Sequence, residues 1–138
     1  MIVWDNHYEL GIASIDNQHK ELVRIAGELS NLLTEACEGD DIYDEMIRLI
    51  EELRDYTVVH FEFEEALFIK HGYPNSDEHI LEHQRLIEEI NALDFQAVDN
   101  DQVAHGKSIL NMLITWIFKH ISGSDFKYRD YLLDKKVT

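Results

Sequence analysis

Two short stretches carry residues that could do chemistry: His60-Phe61-Glu62-Phe63-Glu64 and His79-Ile80-Leu81-Glu82-His83. On a helix, positions i and i+4 lie on one face about one turn apart, so His60 projects with Glu64 and His79 with His83. Both pairs fall on the apolar stripes of their segments, where an inward imidazole or carboxylate is costly to bury without a partner. His19, His120 and Asp125 take inward positions of the same kind, which brings the set to five imidazoles and two carboxylates. Two carboxylates cannot satisfy five inward histidines, and each group left unsatisfied would cost about 1–3 kcal/mol. A bound metal resolves the imbalance, because it draws several donors to one point.

Ligand number then limits the metal. Zinc is usually satisfied by four ligands, or by three plus water, and calcium and magnesium favour all-oxygen shells. Imidazole with carboxylate suits iron, zinc, copper or nickel. Seven groups are too many for one octahedral ion but natural for two, which carboxylates can bridge at about 3.5–4 Å. If Glu64 and Asp125 both bridge, and an oxide or hydroxide bridges with them, each ion has three oxygen ligands. Five histidines then divide as three and two. One ion is closed; the other keeps a vacant position for one small diatomic or anionic ligand.

The elements that must position these residues follow from periodicity. Residues 1–15 read as an ordered arm. A stripe of Ile15, His19, Leu22, Ala26, Leu29 and Leu33 predicts a helix from about Asp16, its N-cap, to near Cys37. Glu38-Gly39-Asp40-Asp41 is a turn, with Asp40 or Asp41 capping the next helix. That second helix carries Met46, Ile50, Leu53, Thr57, His60, Glu64 and Leu67 inward and stops at His71-Gly72-Tyr73-Pro74. A third opens at Ser76 or Asp77 with His79, His83, Leu86, Ile90 and Leu93 inward, and residues 94–101 form a polar connection. The fourth places Ile109, Leu113, Trp116 and His120 on one stripe. Ser122-Gly123-Ser124 interrupts it, and Asp125 begins a short final helix through Leu133. The fold class predicted is all-α: an antiparallel up-down-up-down four-helix bundle with an N-terminal arm and a short C-terminal helix, forming one domain over residues 1–138. In that topology all seven polar residues gather at one end of the bundle.

Composition narrows the function. With 138 residues, 45% hydrophobic and 29% charged, the chain has the balance of a single globular domain. A net charge of −16 argues against nucleic-acid binding and against adhesion to an anionic membrane, which both need basic patches. The longest strongly apolar stretch, Met112 to Phe118, is far short of the ~20 residues of a membrane span, so no membrane insertion is expected. Cys37 is the single cysteine, which excludes an intrachain disulfide, and it reads as a small residue near a helix end. The opening Met1-Ile2-Val3-Trp4-Asp5 lacks a signal pattern, and a cytoplasmic location is predicted. His71, beside Gly72 at a helix C-terminus, suits the negative end of the dipole. His7 and His105 read as exposed, and Glu62, Glu65 and Glu88-Glu89 as solvated faces.

The whole pattern resembles the hemerythrins of the bacterial type. The opening Trp4-Asp5…Gly11-Ile12…Ile15-Asp16…Gln18-His19 is similar to that family's N-terminal signature. A lone His, then H-x3-E, H-x3-H and H-x4-D, is matched by His19, His60/Glu64, His79/His83 and His120/Asp125. The resemblance implies two iron ions per chain, with His79, His83 and His120 on the closed iron, His19 and His60 on the open one, and Glu64 and Asp125 bridging. It also implies reversible dioxygen binding in a pocket of Leu22, Phe61, Trp116, Ile117 and Ile121, whose apolar side chains would exclude water and protons; azide is the expected anionic competitor. Ordinary core packing is the plain alternative for those five residues. Phe68 departs from the methionine common in the family, and a bulkier ring there is expected to alter the pocket. Tyr128 stands where a tyrosine near the site is frequent.

Three functions fit: oxygen storage or delivery, an oxygen- or redox-sensing domain fused to signalling modules, and a di-iron enzyme with peroxidase, oxidase or nitric-oxide chemistry. Di-iron oxidases in helix bundles use carboxylate-rich shells with Glu-x-x-His pairs. The imidazole-rich shell here favours binding.

Overall fold

A computed structural model describes residues 2–138; the first residue of the predicted arm, Met1, lies outside them. Every element among the described residues is helical, with no strand. Four helices form the predicted antiparallel bundle: α1 (Ala13–Glu35), α2 (Tyr43–His71), α3 (Ser76–Asn91) and α4 (Gln102–His120). A fifth, α5 (Phe126–Asp134), closes one end. In the bundle α1 packs against α2 and α4, and α2 against α3.

The apolar stripes do what their spacing requires. Leu22, Leu29, Leu53, Leu86 and Leu113 are buried in one core among all four helices, each contributing about 1.5–3 kcal/mol. Gly106 permits the close approach of α4, since a Cβ there would lie 2.6 Å from Leu33 and Met46 side-chain atoms. A second core joins the arm to α5 through Leu10, Ile12, Ile15, Phe68, Tyr73, Tyr128 and Leu132. Tyr131 Oη binds the carbonyls of His71 and Gly72, and Arg129 Nε donates to Leu10 O at 2.9 Å, so α5 holds both the end of α2 and the arm.

Several boundaries differ from those expected. The first helix begins at Ala13, not Asp16, and Asp16 is not its N-cap. The buried Asp16 carboxylate instead reaches back to accept the amides of Leu10 and Gly11 at 2.9 and 3.0 Å, tying the arm to the helix's first turn. Asp41 accepts from Tyr43 N at 3.2 Å, and α2 starts two residues later than Asp41 itself. Gly72 ends α2 in the left-handed conformation (φ 65°), and Tyr73 N–H turns back to Phe68 O at 3.0 Å. Residues 94–101 are helical rather than an irregular connection: Asp94 caps a turn at Phe95–Val98, and Val98 is buried.

The largest departure is after His120. Ser122-Gly123-Ser124 does not interrupt the helix; Ile121–Asp125 forms one wide π turn and the chain runs on into α5. A π turn inserts one residue into a helix. It brings Asp125 round to the face of His120, which a regular helix would miss by roughly 140°.

Candidate metal centre

Each helix delivers its polar residues to one level, between the two cores. From α2, His60 Nε2 and Glu64 Oε1 lie 3.1 Å apart, the consequence of their i, i+4 spacing. From α1, His19 Nε2 approaches Asp125 Oδ2 at 3.1 Å. From α3, His79 Nε2 lies 3.1 Å from Asp125 Oδ1, and His83 Nε2 lies 3.4 Å from Glu64 Oε1. From the end of α4, His120 Nε2 lies 3.2 Å from Asp125 Oδ1, 3.0 Å from His79 Nε2 and 3.1 Å from His83 Nε2. All seven residues are buried, and Glu64 and Asp125 are 0% exposed.

These atoms form two groups. Glu64, His79, His83, His120 and Asp125 offer ligand atoms within 4.8 Å of one another; so do His19, His60, Glu64 and Asp125. The two carboxylates are common to both groups. The histidines divide three and two.

The donor atoms do not satisfy one another. His19 Nδ1 and Nε2, Glu64 Oε1 and both oxygens of Asp125 are buried without an aligned hydrogen bond, although charged neighbours stand close. Orphaned buried polar atoms of this kind are rare unless a group other than the protein's own side chains completes them. Burial pushes both carboxylates toward the neutral form, and the charge of Asp125 adds to this at Glu64, but His60 beside Glu64 and His120 beside Asp125 prevail and hold them below the ordinary carboxylate range. Burial pulls His83 down, yet its contacts with Glu64 and Glu65 raise it to about 9. Burial alone dominates at His60 and lowers it, whereas Asp125 overcomes burial at His19 and raises it. Two fixed anions facing five imidazole rings are a cradle for cations, and the donor set suits a metal centre.

Aromatic rings fix the imidazole planes. Phe61 stacks on His83 (centroids 3.7 Å, 3° between planes), Trp116 stacks on His120 (4.4 Å, 16°), and Phe68 meets His79 edge-on (4.8 Å, 63°). Tyr128, kept a neutral phenol by burial and by the two carboxylates, donates to Glu64 Oε2.

The outer nitrogens have partners that sequence reasoning missed. His60 Nδ1 lies 2.7 Å from Gln18 Oε1, His120 Nδ1 lies 2.9 Å from Glu82 Oε2, and His83 Nδ1 lies 3.5 Å from Glu65 Oε2. Glu65 therefore is not simply part of a solvated face. In each case the partner sits on another helix, so no local spacing marks it.

Beside His19, His60, His120 and Asp125 is a narrow cavity of about 10 Å³, room for about one water-sized molecule. Leu22, Phe61, Trp116, Ile117 and Ile121 all line it, and Thr57 joins them. Phe68 does not: it is fully buried against His79, Tyr73 and Tyr128 on the other side of the cluster, so its ring acts on the His79 plane rather than on cavity shape. His105 is exposed, and His7 is exposed beside Asp5 at 2.8 Å. No described helix is long and apolar enough to cross a membrane.

Comparison with known proteins agrees with this geometry. The family model for the hemerythrin HHE cation binding domain matches residues 10–132. A bacteriohemerythrin of Clostridium acetobutylicum is 35% identical over 130 residues, covering 94% of this chain and 100% of its own. A bacteriohemerythrin of Pseudomonas paraeruginosa is 36% identical over 129 residues (94% of this chain, 80% of its own), and a hemerythrin-like protein of Naegleria gruberi is 28% identical over 129 residues (94% and 92%).

Proposed function

Because this chain belongs to the hemerythrin family, we propose that residues 1–138 form one domain that holds two iron ions and binds dioxygen reversibly, for storage, delivery or sensing. The observation that carries this reading is the division of the buried ligand atoms into a three-histidine and a two-histidine group around the same two carboxylates. His79, His83 and His120 hold the closed position; His19 and His60 hold the open one. Glu64 and Asp125 would serve both, and an oxide or hydroxide is the expected companion of the two ions. Ferrous ions there would supply two electrons and one vacant position for dioxygen, the same position that azide would take.

The protein's own residues set the conditions. Tyr128 holds one oxygen of Glu64 through its hydroxyl, so the carboxylate keeps a single orientation. Phe61 and Trp116, stacked on His83 and His120, keep those rings from swinging. Leu22, Ile117 and Ile121 present only hydrocarbon to their side of the cavity, so on that side water or a proton donor finds nothing to bind. A tight apolar cavity beside a histidine-rich shell favours taking up and returning a ligand over turning it over.

The test is a visible spectrum of iron-loaded, reduced protein before and after air, with metal analysis of the same sample. Two irons per chain and a new absorption that disappears on removing oxygen are expected. One tightly held zinc, or irreversible bleaching with no oxygenated state, would overturn the proposal.

A further inference from the structure

The two histidine groups differ in what stands behind them. On the three-histidine side, carboxylates contact the outer nitrogens of two rings: Glu82 on His120 at 2.9 Å and Glu65 on His83 at 3.5 Å. On the two-histidine side, His60 meets the neutral amide of Gln18 at 2.7 Å, and His19 Nδ1 has no partner. Asp16, three residues before His19 on α1, is occupied by the amides of Leu10 and Gly11. Glu82 is itself held in place by Ser124 Oγ at 2.5 Å, from the π turn that carries Asp125.

An imidazole that donates its outer N–H to a carboxylate becomes a stronger electron donor at its other nitrogen, and an amide oxygen does this less. Partners of that kind typically change metal affinity by about 10–100-fold. Glu82 and Glu65 thus supply negative charge to one position alone. We propose, resting on the two-iron reading above, that Glu82 and Glu65 are positioning residues whose charge makes the His79/His83/His120 position the slower of the two to release its metal, and that neutral Gln18 leaves the His19/His60 position exchangeable.

Metal release from the loaded chain of residues 1–138 tests this without reference to oxygen binding. Reduced protein is mixed anaerobically with excess ferrous chelator and iron release is timed. Wild type should give two phases of equal size. Glu82→Gln keeps a hydrogen-bonding side chain but removes the charge; it should speed the slow phase about 10-fold or more and leave the fast phase alone. Gln18→Glu should slow the fast phase. Both positions are partly exposed, so the variants should fold as wild type does. An unmoved slow phase in Glu82→Gln, with Glu82→Ala alone accelerated, would reduce Glu82 to orienting the ring and overturn the proposal. Equal acceleration of both phases would overturn it as well. Fewer than two irons in the wild type would overturn the two-iron reading, and this inference with it; two irons with an indifferent Glu82 would overturn the inference alone.

Discussion

His120 and Asp125 meet at 3.2 Å, Nε2 to Oδ1, although they stand at i and i+5, because the turn between them is a π turn. Its extra residue is what lets α4 supply a histidine and a carboxylate to the same point. Inserting one alanine after Gly123 adds a residue beyond the one the turn already absorbs and should rotate everything beyond it by roughly 100°. Asp125 would leave the cluster, and Tyr128 and Leu132 would leave their core. Metal analysis should find the site unfilled and thermal melting should show large destabilisation. Gly123→Ala is the control: nothing lies within 4 Å of the added methyl group, so it should retain metal and melt no lower. An insertion variant with full metal content would refute this account of the turn.

Tyr128 is fully buried and its hydroxyl is committed to Glu64. Tyr128→Phe keeps the ring packing on Phe68 and His79 but leaves a buried carboxylate oxygen short of a donor. A loss of about 1–3 kcal/mol is expected in chemical denaturation of the loaded protein. No change would mean that Glu64 finds its partners elsewhere.

Removing the metal should loosen the bundle at its polar end. Five imidazoles and two carboxylates then share a buried site with several atoms unpaired. An ion present at about a thousand times its Kd adds about 4 kcal/mol of stability, and chelation should remove it. Melting curves with and without chelator measure the difference. His60→Ala should give a chain holding less than its full metal and binding no oxygen, whereas exposed His105→Ala should match wild type in both.

Ile117 touches the cavity and carries no chemistry of its own. Ile117→Ala leaves all seven polar residues in place and opens space, at about 2–5 kcal/mol of stability. Oxygen should still bind, but the oxygenated state should decay faster and azide should enter more quickly. Stopped-flow absorbance follows both. An oxygenated lifetime indifferent to residue 117 would show that the cavity wall does not guard the site.

How much of this was legible in the sequence depends on the distance over which each feature is encoded. Helical periodicity is local, so the four bundle helices and the inward faces of His60, Glu64, His79 and His83 could be read from spacing alone. The Gly72 stop was readable for the same reason: left-handed backbone at a helix end favours glycine. Topology then carried His19, His120 and Asp125 to the same end of the bundle without any knowledge of side-chain contacts. Gln18, Glu65 and Glu82 were not legible as partners, since they lie 42, 18 and 38 residues from the histidines they touch. The π turn was hidden because Ser-Gly-Ser is a local signal for a break. Only the packing of Tyr128 and Leu132 beneath the bundle makes a continuous, widened helix the better arrangement. Phe68, expected from the family resemblance to alter the pocket, lies instead against His79 and Tyr128, because a departure from a family pattern does not say which neighbours the new ring meets. Local spacing, in short range, settled which residues face inward; their partners were decided by the packing of whole helices, because a hydrogen bond depends on where atoms meet in space and not on their separation along the chain.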